Sequence, residues 1–344
     1  MNEAHFKRII VYAPNIRGGG AILLQSLIED NIKIKQTIFI TDLSHSFVDH
    51  LSINKTNIKV IHCSNRIQSE LRLKKIATKS DLVLCFSNIP PILRIPSKVK
   101  IFIQNRFLLD RHARKNLHLL TKIKINILKA ILSVRLIPEY SFIVQTYSMK
   151  SLLEDFLKRD FVIDVLPFAQ NIPIYSGDKN NYKTKNTFFY PSSFLPHKNH
   201  INLIKAWDIM VSDGMEPKLY LTISDSEFES IIRISKVSQK LKKFIILLGS
   251  IDIDTSYEYY HKTCYLIFPS YCESFGMPLI EAKKFGNKVI ASELDYVRDI
   301  IIPDETFDPS SPKSIARAVK RVLNINQKQT ELLSPAQFLE NFLE

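Results

Sequence analysis

The chain has 344 residues, 45% hydrophobic and 24% charged; that is enough apolar material for two packed cores, so disorder is not the default reading. Lys and Arg number 47 against 34 Asp and Glu, a net charge of +13. This surplus either favours anionic partners (phosphorylated substrates, acidic lipid headgroups, nucleic acid) or reflects a composition rich in Lys, Ile and Asn throughout. Nucleic acid is not expected, because no RNA or DNA module and no basic–aromatic interleaving accompany the charge.

Cys63, Cys85, Cys264 and Cys272 form no C-x-x-C pair and have no partnering His cluster, which argues against a zinc site or disulfide framework. The polar stretch Met1–Arg8 carries no signal-peptide pattern, and charges interrupt every apolar run before it could span a bilayer. The expected location is cytoplasmic, with peripheral contact to the inner face of the membrane.

In chain order, short runs rich in Ile, Val and Phe occur at Arg8–Ala13, Gln36–Ile40, Ile58–Ile61, Leu82–Phe86, Lys100–Ile103, Phe142–Val144 and Val162–Leu166. After a polar stretch at Ser176–Lys185 they resume at Thr187–Tyr190, Leu219–Ile223, Phe244–Leu248, Tyr265–Phe268 and Lys288–Ala291. Continuous apolar strands alternating with helical segments predict βαβ units with parallel sheets. The predicted architecture is α/β, with two Rossmann-like doubly wound domains facing across a cleft. Residues 1–170 form the first domain, 171–186 a linker, 187–330 the second domain, and 331–344 a last helix packing back on the first.

With only eight glycines, each position carries information. Asn15-Ile16-Arg17-Gly18-Gly19-Gly20 follows the first strand and opens a helix; it fits neither G-x-G-x-x-G nor a Walker loop. It reads either as a plain tight turn or as a cleft-lining loop. Leu117–Ile137 mixes Lys122, Lys124, Lys129 and Arg135 with many Leu and Ile. Such a helix suits an anionic membrane surface, or a core-facing position with snorkelling lysines. Tyr190-Pro-Ser-Ser-Phe-Leu-Pro196-His197-Lys198-Asn199-His200 places a lysine just ahead of a helix, suited to a diphosphate. His197 and His200 read as structural or capping residues.

The most specific block is Pro269-Ser270-Tyr271-Cys272-Glu273-Ser274-Phe275-Gly276-Met277-Pro278-Leu279-Ile280-Glu281-Ala282. Pro278 suits the first position of a helix running to about Phe285 and capped by Gly286. The amides of Phe275, Gly276 and Met277 would then be free to bind a phosphate or sugar hydroxyls, aided by the helix dipole. Glu281, one turn in, could accept hydrogen bonds from a ribose diol, and Glu273 in the loop could face a sugar ring.

This block resembles the E-x7-E signature of retaining GT-B glycosyltransferases of the family 4 type, and the Pro196–His200 stretch resembles that family's donor-phosphate motif. The resemblance implies that Glu281 binds the nucleotide ribose, Glu273 contacts the donor sugar at the reacting carbon, and Lys198 holds the diphosphate with Ser274, Phe275, Gly276 and Met277. It places the nucleotide base near Gly249 and Ile251 and the donor diphosphate or acceptor near Gly19 and Gly20. Where many relatives carry Arg five residues before the lysine, this chain has Ser193, so Arg17 or Arg106 is expected to supply the second cation. Where many carry a His beside the donor sugar, this chain reads Ile103-Gln104-Asn105-Arg106-Phe107; Asn105 or Arg106 takes that place by polar contact. Glu273 and Asn105 are therefore the expected residues at the reaction centre.

The implied activity is transfer of a sugar from a nucleotide-diphosphate sugar to a saccharide acceptor, polyprenyl-diphosphate-linked, in bacterial surface polysaccharide (lipopolysaccharide, O-antigen) assembly. A positive cleft can stand in for a metal, so a metal-independent reaction with no cofactor is expected. Retention would follow front-face attack or a covalent intermediate on Glu273. Rival readings are a catalytically silent sugar-nucleotide-binding subunit and a GT-B nucleotide-sugar epimerase.

Overall fold

The computed structural model describes residues 6–29, 36–42, 57–115, 117–172, 183–325 and 332–343. In the first domain β1 (Arg8–Ala13), β2 (Thr37–Thr41), β3 (Ile58–His62), β4 (Asp81–Cys85), β5 (Lys98–Phe102), β6 (Ser141–Val144) and β7 (Ile163–Val165) alternate with helices. The helices are α1 (Gly19–Glu29), α2 (Arg66–Ile76), α3 (Leu119–Val134) and α4 (Tyr147–Leu157). All pairings are parallel, in the order β3-β2-β1-β4-β5-β6-β7. One face packs α2, α3 and α4 through Leu73, Ile125, Leu132 and Leu153; the other packs α1 through Leu23, Leu24 and Ile28. Burial on both faces is why these strands read as unbroken apolar runs.

The second domain repeats the plan. Strands β8 (Thr184–Tyr190), β9 (Lys218–Leu221), β10 (Ile245–Leu247), β11 (Thr263–Phe268), β12 (Lys288–Ser292) and β13 (Glu305–Phe307) form a parallel sheet in the order β10-β9-β8-β11-β12-β13. Its helices are α5 (His200–Ser212), α6 (Asp225–Ser235), α7 (Ile253–Lys262), α8 (Met277–Lys284), α9 (Asp295–Arg298) and α10 (Pro312–Val322). The core is aromatic: Phe188, Phe189, Trp207, Tyr260 and Phe268 are fully buried. The Trp207 indole donates to the Pro217 carbonyl at 2.9 Å, so its burial leaves no polar group unsatisfied.

Every strand expected from the sequence forms, β1 with the expected ends and the others with shifted ends. β8 starts at Thr184, inside the stretch expected as linker. Its first three residues are exposed, yet Thr184 is in register with Thr263 of β11, so backbone pairing rather than hydropathy extends the strand. Residues 173–182, most of the expected linker, lie outside the described residues. β13 was not anticipated, because Glu-Thr-Phe offers one apolar side chain. Met277, not Pro278, is the first residue of α8, and the helix ends at Lys284 before Gly286 at φ +68°. The C-terminal helix exists as α11 (Pro335–Leu343), but Phe338, Leu339 and Phe342 remain exposed rather than buried against the first domain.

Candidate active site in the interdomain cleft

Strand order decides where a ligand can sit. Each sheet reverses direction of growth once, between β1 and β4 in the first domain and between β8 and β11 in the second. Ligands of open α/β sheets bind beyond the carboxyl ends of strands at such a reversal. Loops from both reversals line one cavity of about 610 Å³. The first domain contributes Asn15, Ile16, Arg17, Gly19 and Gly20 after β1, Asn88 after β4, Gln104–Phe107 after β5, and Lys124 of α3. The second contributes His197 and Lys198 after β8 and Cys272–Pro278 after β11.

The β11–α8 loop ends in a turn that only glycine adopts without strain: Gly276, the N-cap of α8, has φ +81°. Pro278 at the second helical position has no amide to leave unsatisfied. The amides of Phe275, Gly276 and Met277 have no acceptor among the described residues. Together with the dipole of α8 they form an anion site on the cavity wall.

Lys198 faces that site. Its loop is held by four hydrogen bonds: Tyr190 Oη donates to the Lys198 carbonyl at 2.8 Å, the Tyr271 amide to the His197 carbonyl at 2.8 Å, and Asn199 Nδ2 to the carbonyls of Pro269 and Pro309 at 3.0 and 2.7 Å. These bonds tie the loop after β8 to the loop after β11. They bring Lys198 Nζ to 2.7 Å from Glu273 Oε1, with both side chains less than one-fifth exposed. A cation, free amides and a carboxylate thus converge in one pocket, a set able to bind a diphosphate and to steady positive charge developing on a sugar ring.

The histidines beside the lysine stay neutral. Burial, with a smaller push from Lys198, lowers His197 to about 4 and His200 to about 3. His200 sits among Tyr190 and Phe194, and His197 meets the edge of Phe107. This matches the structural role read from the sequence.

In the first domain, Asn105 caps a short 3-10 helix, its Oδ1 accepting from the Phe107 amide at 3.0 Å. Asn88, at φ +68°, accepts from the amides of Gln104 and Asn105 at 2.6 and 2.8 Å and shapes this wall. The Arg106 amide donates to Ser274 Oγ at 3.1 Å across the cleft, and its guanidinium pairs with Asp110 at 3.0 Å. Arg17 pairs with Asp42 at 2.8 Å. A side chain at Gly20 would come within 3.0 Å of Ile16 and 3.1 Å of Gln104, so the loop after β1 approaches the β5 loop as only glycine easily permits.

Glu281, Gly249 and Ile251 do not line this cavity. Glu281 is buried on the side of α8 that meets α7: Tyr260 Oη donates to it at 2.9 Å and Gln170 Nε2 at 3.2 Å. Burial raises its pKa, and the two hydrogen bonds only partly oppose that rise. Gln170 also donates to Tyr257 Oη at 3.0 Å, so the segment leaving β7 closes over the ribose-binding carboxylate implied by the resemblance. Gln170 and Asn88 were not singled out from sequence, each being an isolated polar residue placed by the elements it meets; Lys124, read there only as one of the cations of Leu117–Ile137, lines the cavity.

Residues 171–336 match the family described as glycosyl transferases group 1. The serotype-specific mannosyltransferase WbdA of Escherichia coli is 23% identical over 163 residues, 46% of this chain and 20% of WbdA. The O-antigen chain mannosyltransferase RfbU of Salmonella typhimurium (strain LT2) is 25% identical over 150 residues, 43% of this chain and 40% of RfbU. The chain thus spans less than half the length of these relatives. The structure of HepE from Anabaena in complex with UDP-glucose has TM-score 0.65 at 13% identity, covering 93% of this chain and 90% of HepE. Two all-parallel sheets of 7 and 6 strands that meet at their reversal points give this protein the GT-B fold, with a glycosyl transferases group 1 match over residues 171–336.

Proposed function

We propose that the protein is a retaining glycosyltransferase that moves a hexosyl group from a nucleotide-diphosphate sugar to a saccharide acceptor in surface polysaccharide assembly. The observation that carries this reading is the Lys198–Glu273 pair at 2.7 Å beside the free amides at the start of α8. An incoming diphosphate takes over Lys198 and the amides, which releases Glu273 toward the sugar. The leaving diphosphate is stabilised by Lys198, the Gly276 and Met277 amides and the helix dipole. Arg17 or Arg106 adds a second cation. Asn105 makes polar contact with the sugar, and Glu281 holds the ribose after Gln170 yields its hydrogen bond, with Gly249 and Ile251 beside the base.

The reading includes metal independence, because cations of the chain itself face the diphosphate position; activity that survives EDTA checks this. Mannosyltransferase relatives favour a mannosyl donor and an O-antigen-type product. The acceptor in this reading is polyprenyl-diphosphate-linked and met at the inner face of the membrane. No helix among the described residues is long and apolar enough to cross a bilayer.

A thermal-shift panel of UDP, GDP and their sugars against wild type and Glu281→Ala tests the donor site. A rise in melting temperature with one nucleotide sugar, lost in the variant, is expected. No response to any nucleotide sugar would remove the reading, and an NMR assignment of the product's anomeric configuration decides retention.

A further inference from the structure

Glu281 is 7% exposed, and its two carboxylate oxygens are held in different ways. Oε2 accepts at 2.9 Å from Tyr260 Oη, a fully buried phenol of the second-domain core stacked on Phe285. Oε1 accepts at 3.2 Å from Gln170 Nε2, on the segment that leaves β7. The Gln170 side chain is partly exposed, but the backbone around it is anchored on both sides. The Phe168 carbonyl accepts from Gln145 Nε2 at 3.0 Å, and Ile172 is buried in the second-domain core. Gln170 can therefore swing away by a change of rotamer alone, whereas Tyr260 cannot.

The same Gln170 nitrogen donates to Tyr257 Oη at 3.0 Å, and Tyr257 is 8% exposed. An amide nitrogen carries two protons and accepts none. It serves both oxygens but leaves the Tyr257 proton without an acceptor among the described residues. A covered donor in that state is costly. A hydroxyl oxygen in the place of Nε2 would donate to Glu281 Oε1 and accept from Tyr257 Oη. That exchange satisfies every proton of the set, which the amide cannot do.

We infer that Gln170 is a built-in competitor for the ribose site and that Tyr257 is a second ribose ligand, engaged when Gln170 leaves. The inference rests on the transferase reading, in which Glu281 holds the ribose, and adds a contact and a regulation to that site. While the amide is in place Glu281 is covered. A nucleotide binds only the fraction of molecules whose Gln170 has swung away, and its apparent affinity is lowered by that fraction. A sugar with free hydroxyls wins the exchange, because only a hydroxyl gives the Tyr257 proton an acceptor.

The test is calorimetric titration of the full chain with UDP, GDP, their counterparts lacking both ribose hydroxyls, and inorganic pyrophosphate, beside thermal unfolding without ligand. Gln170→Ala should bind the preferred ribonucleotide about tenfold more tightly than wild type, as removal of one competing charge-assisted contact requires, yet melt at a lower temperature when ligand-free. Gln170→Asn, one carbon too short to reach Glu281, should behave alike, and pyrophosphate affinity should be unchanged in both. Tyr257→Phe should weaken the ribonucleotide about fivefold and leave the form without ribose hydroxyls unchanged. Unchanged or weaker ribonucleotide binding by both Gln170 variants overturns the competitor role, since a purely structural tie lowers the melting temperature without tightening the ligand. Equal losses for both nucleotide forms in Tyr257→Phe overturn the ligand role. Failure of wild type to bind any nucleotide would instead overturn the transferase reading itself.

Discussion

The Asp299 carboxylate of the second domain accepts a hydrogen bond at 2.7 Å from the Ser148 amide in the first turn of α4 in the first domain. A negative charge from one domain thus caps the positive end of a helix in the other, on the same closure that brings Arg106 to Ser274 and Gln170 to Glu281. A carboxylate at a helix N-terminus contributes about 0.3–1 kcal/mol, so Asp299→Ala should loosen closure without unfolding either domain. Small-angle scattering of the ligand-free protein is expected to show a larger radius of gyration in the variant. An unchanged radius would mean that the contact does not hold the cleft.

Lys198 and Glu273 depend on each other for their burial. Lys198→Ala leaves a largely covered carboxylate without its cation and should cost about 1–3 kcal/mol, less than a fully buried pair because both groups keep some solvent. Adding Glu273→Gln should recover part of that loss, read as a coupling energy in a urea double-mutant cycle. Both single variants should also lower kcat about 10²- to 10³-fold if they act on developing charge. A near-wild-type kcat in Lys198→Ala would detach the lysine from the reaction.

Gly276→Ala places a side chain on a residue at φ +81°, 3.1 Å from Leu279 Cδ1. The strain is about 1–2 kcal/mol, and relief would rotate the amides that open α8. Donor-nucleotide affinity should therefore fall more than thermal stability does. Equal affinity in the variant would show that those amides do not contact the ligand.

Glu281 carries a pKa raised chiefly by burial. Its stability contribution is thus present below the ordinary value of about 4.3 and is lost as pH rises through the higher folded value. If Glu281 holds the ribose as proposed, the diol donates to its ionised form, so nucleotide affinity should weaken as pH falls through that same interval. Glu281→Gln should bind weakly with no such slope; a parallel pH profile in the variant would assign the titration elsewhere.

His200 titrates in the opposite sense. Folded, it is held to about 3 by burial, while the unfolded chain takes up its proton near about 6.5. Stability should fall as pH drops across that interval, by at most about 1.4 kcal/mol per pH unit from this group. Urea midpoints at pH 7, 6 and 5 should show a shallower decline for His200→Phe, which keeps an aromatic ring among Tyr190 and Phe194.

Much of this protein was legible in the order of its residues. Unbroken apolar runs such as Arg8–Ala13 and Tyr265–Phe268 declare strands covered on both faces, because burial on both sides leaves no polar alternation to obscure them. The Glu273–Glu281 block declares a turn and a helix start, because a glycine followed by Met and Pro admits few other conformations. Local chemistry of this kind is written within a few consecutive residues. What only the tertiary structure decided is which side chains meet. Lys198 finds Glu273 75 positions away, Arg106 finds Ser274 168 away, and Gln170 covers Glu281 111 away. Contacts at such separations depend on strand order within a sheet, as for Lys198 and Glu273, or on how the two domains face each other, as for Arg106 and Ser274, and no periodicity in the chain encodes them.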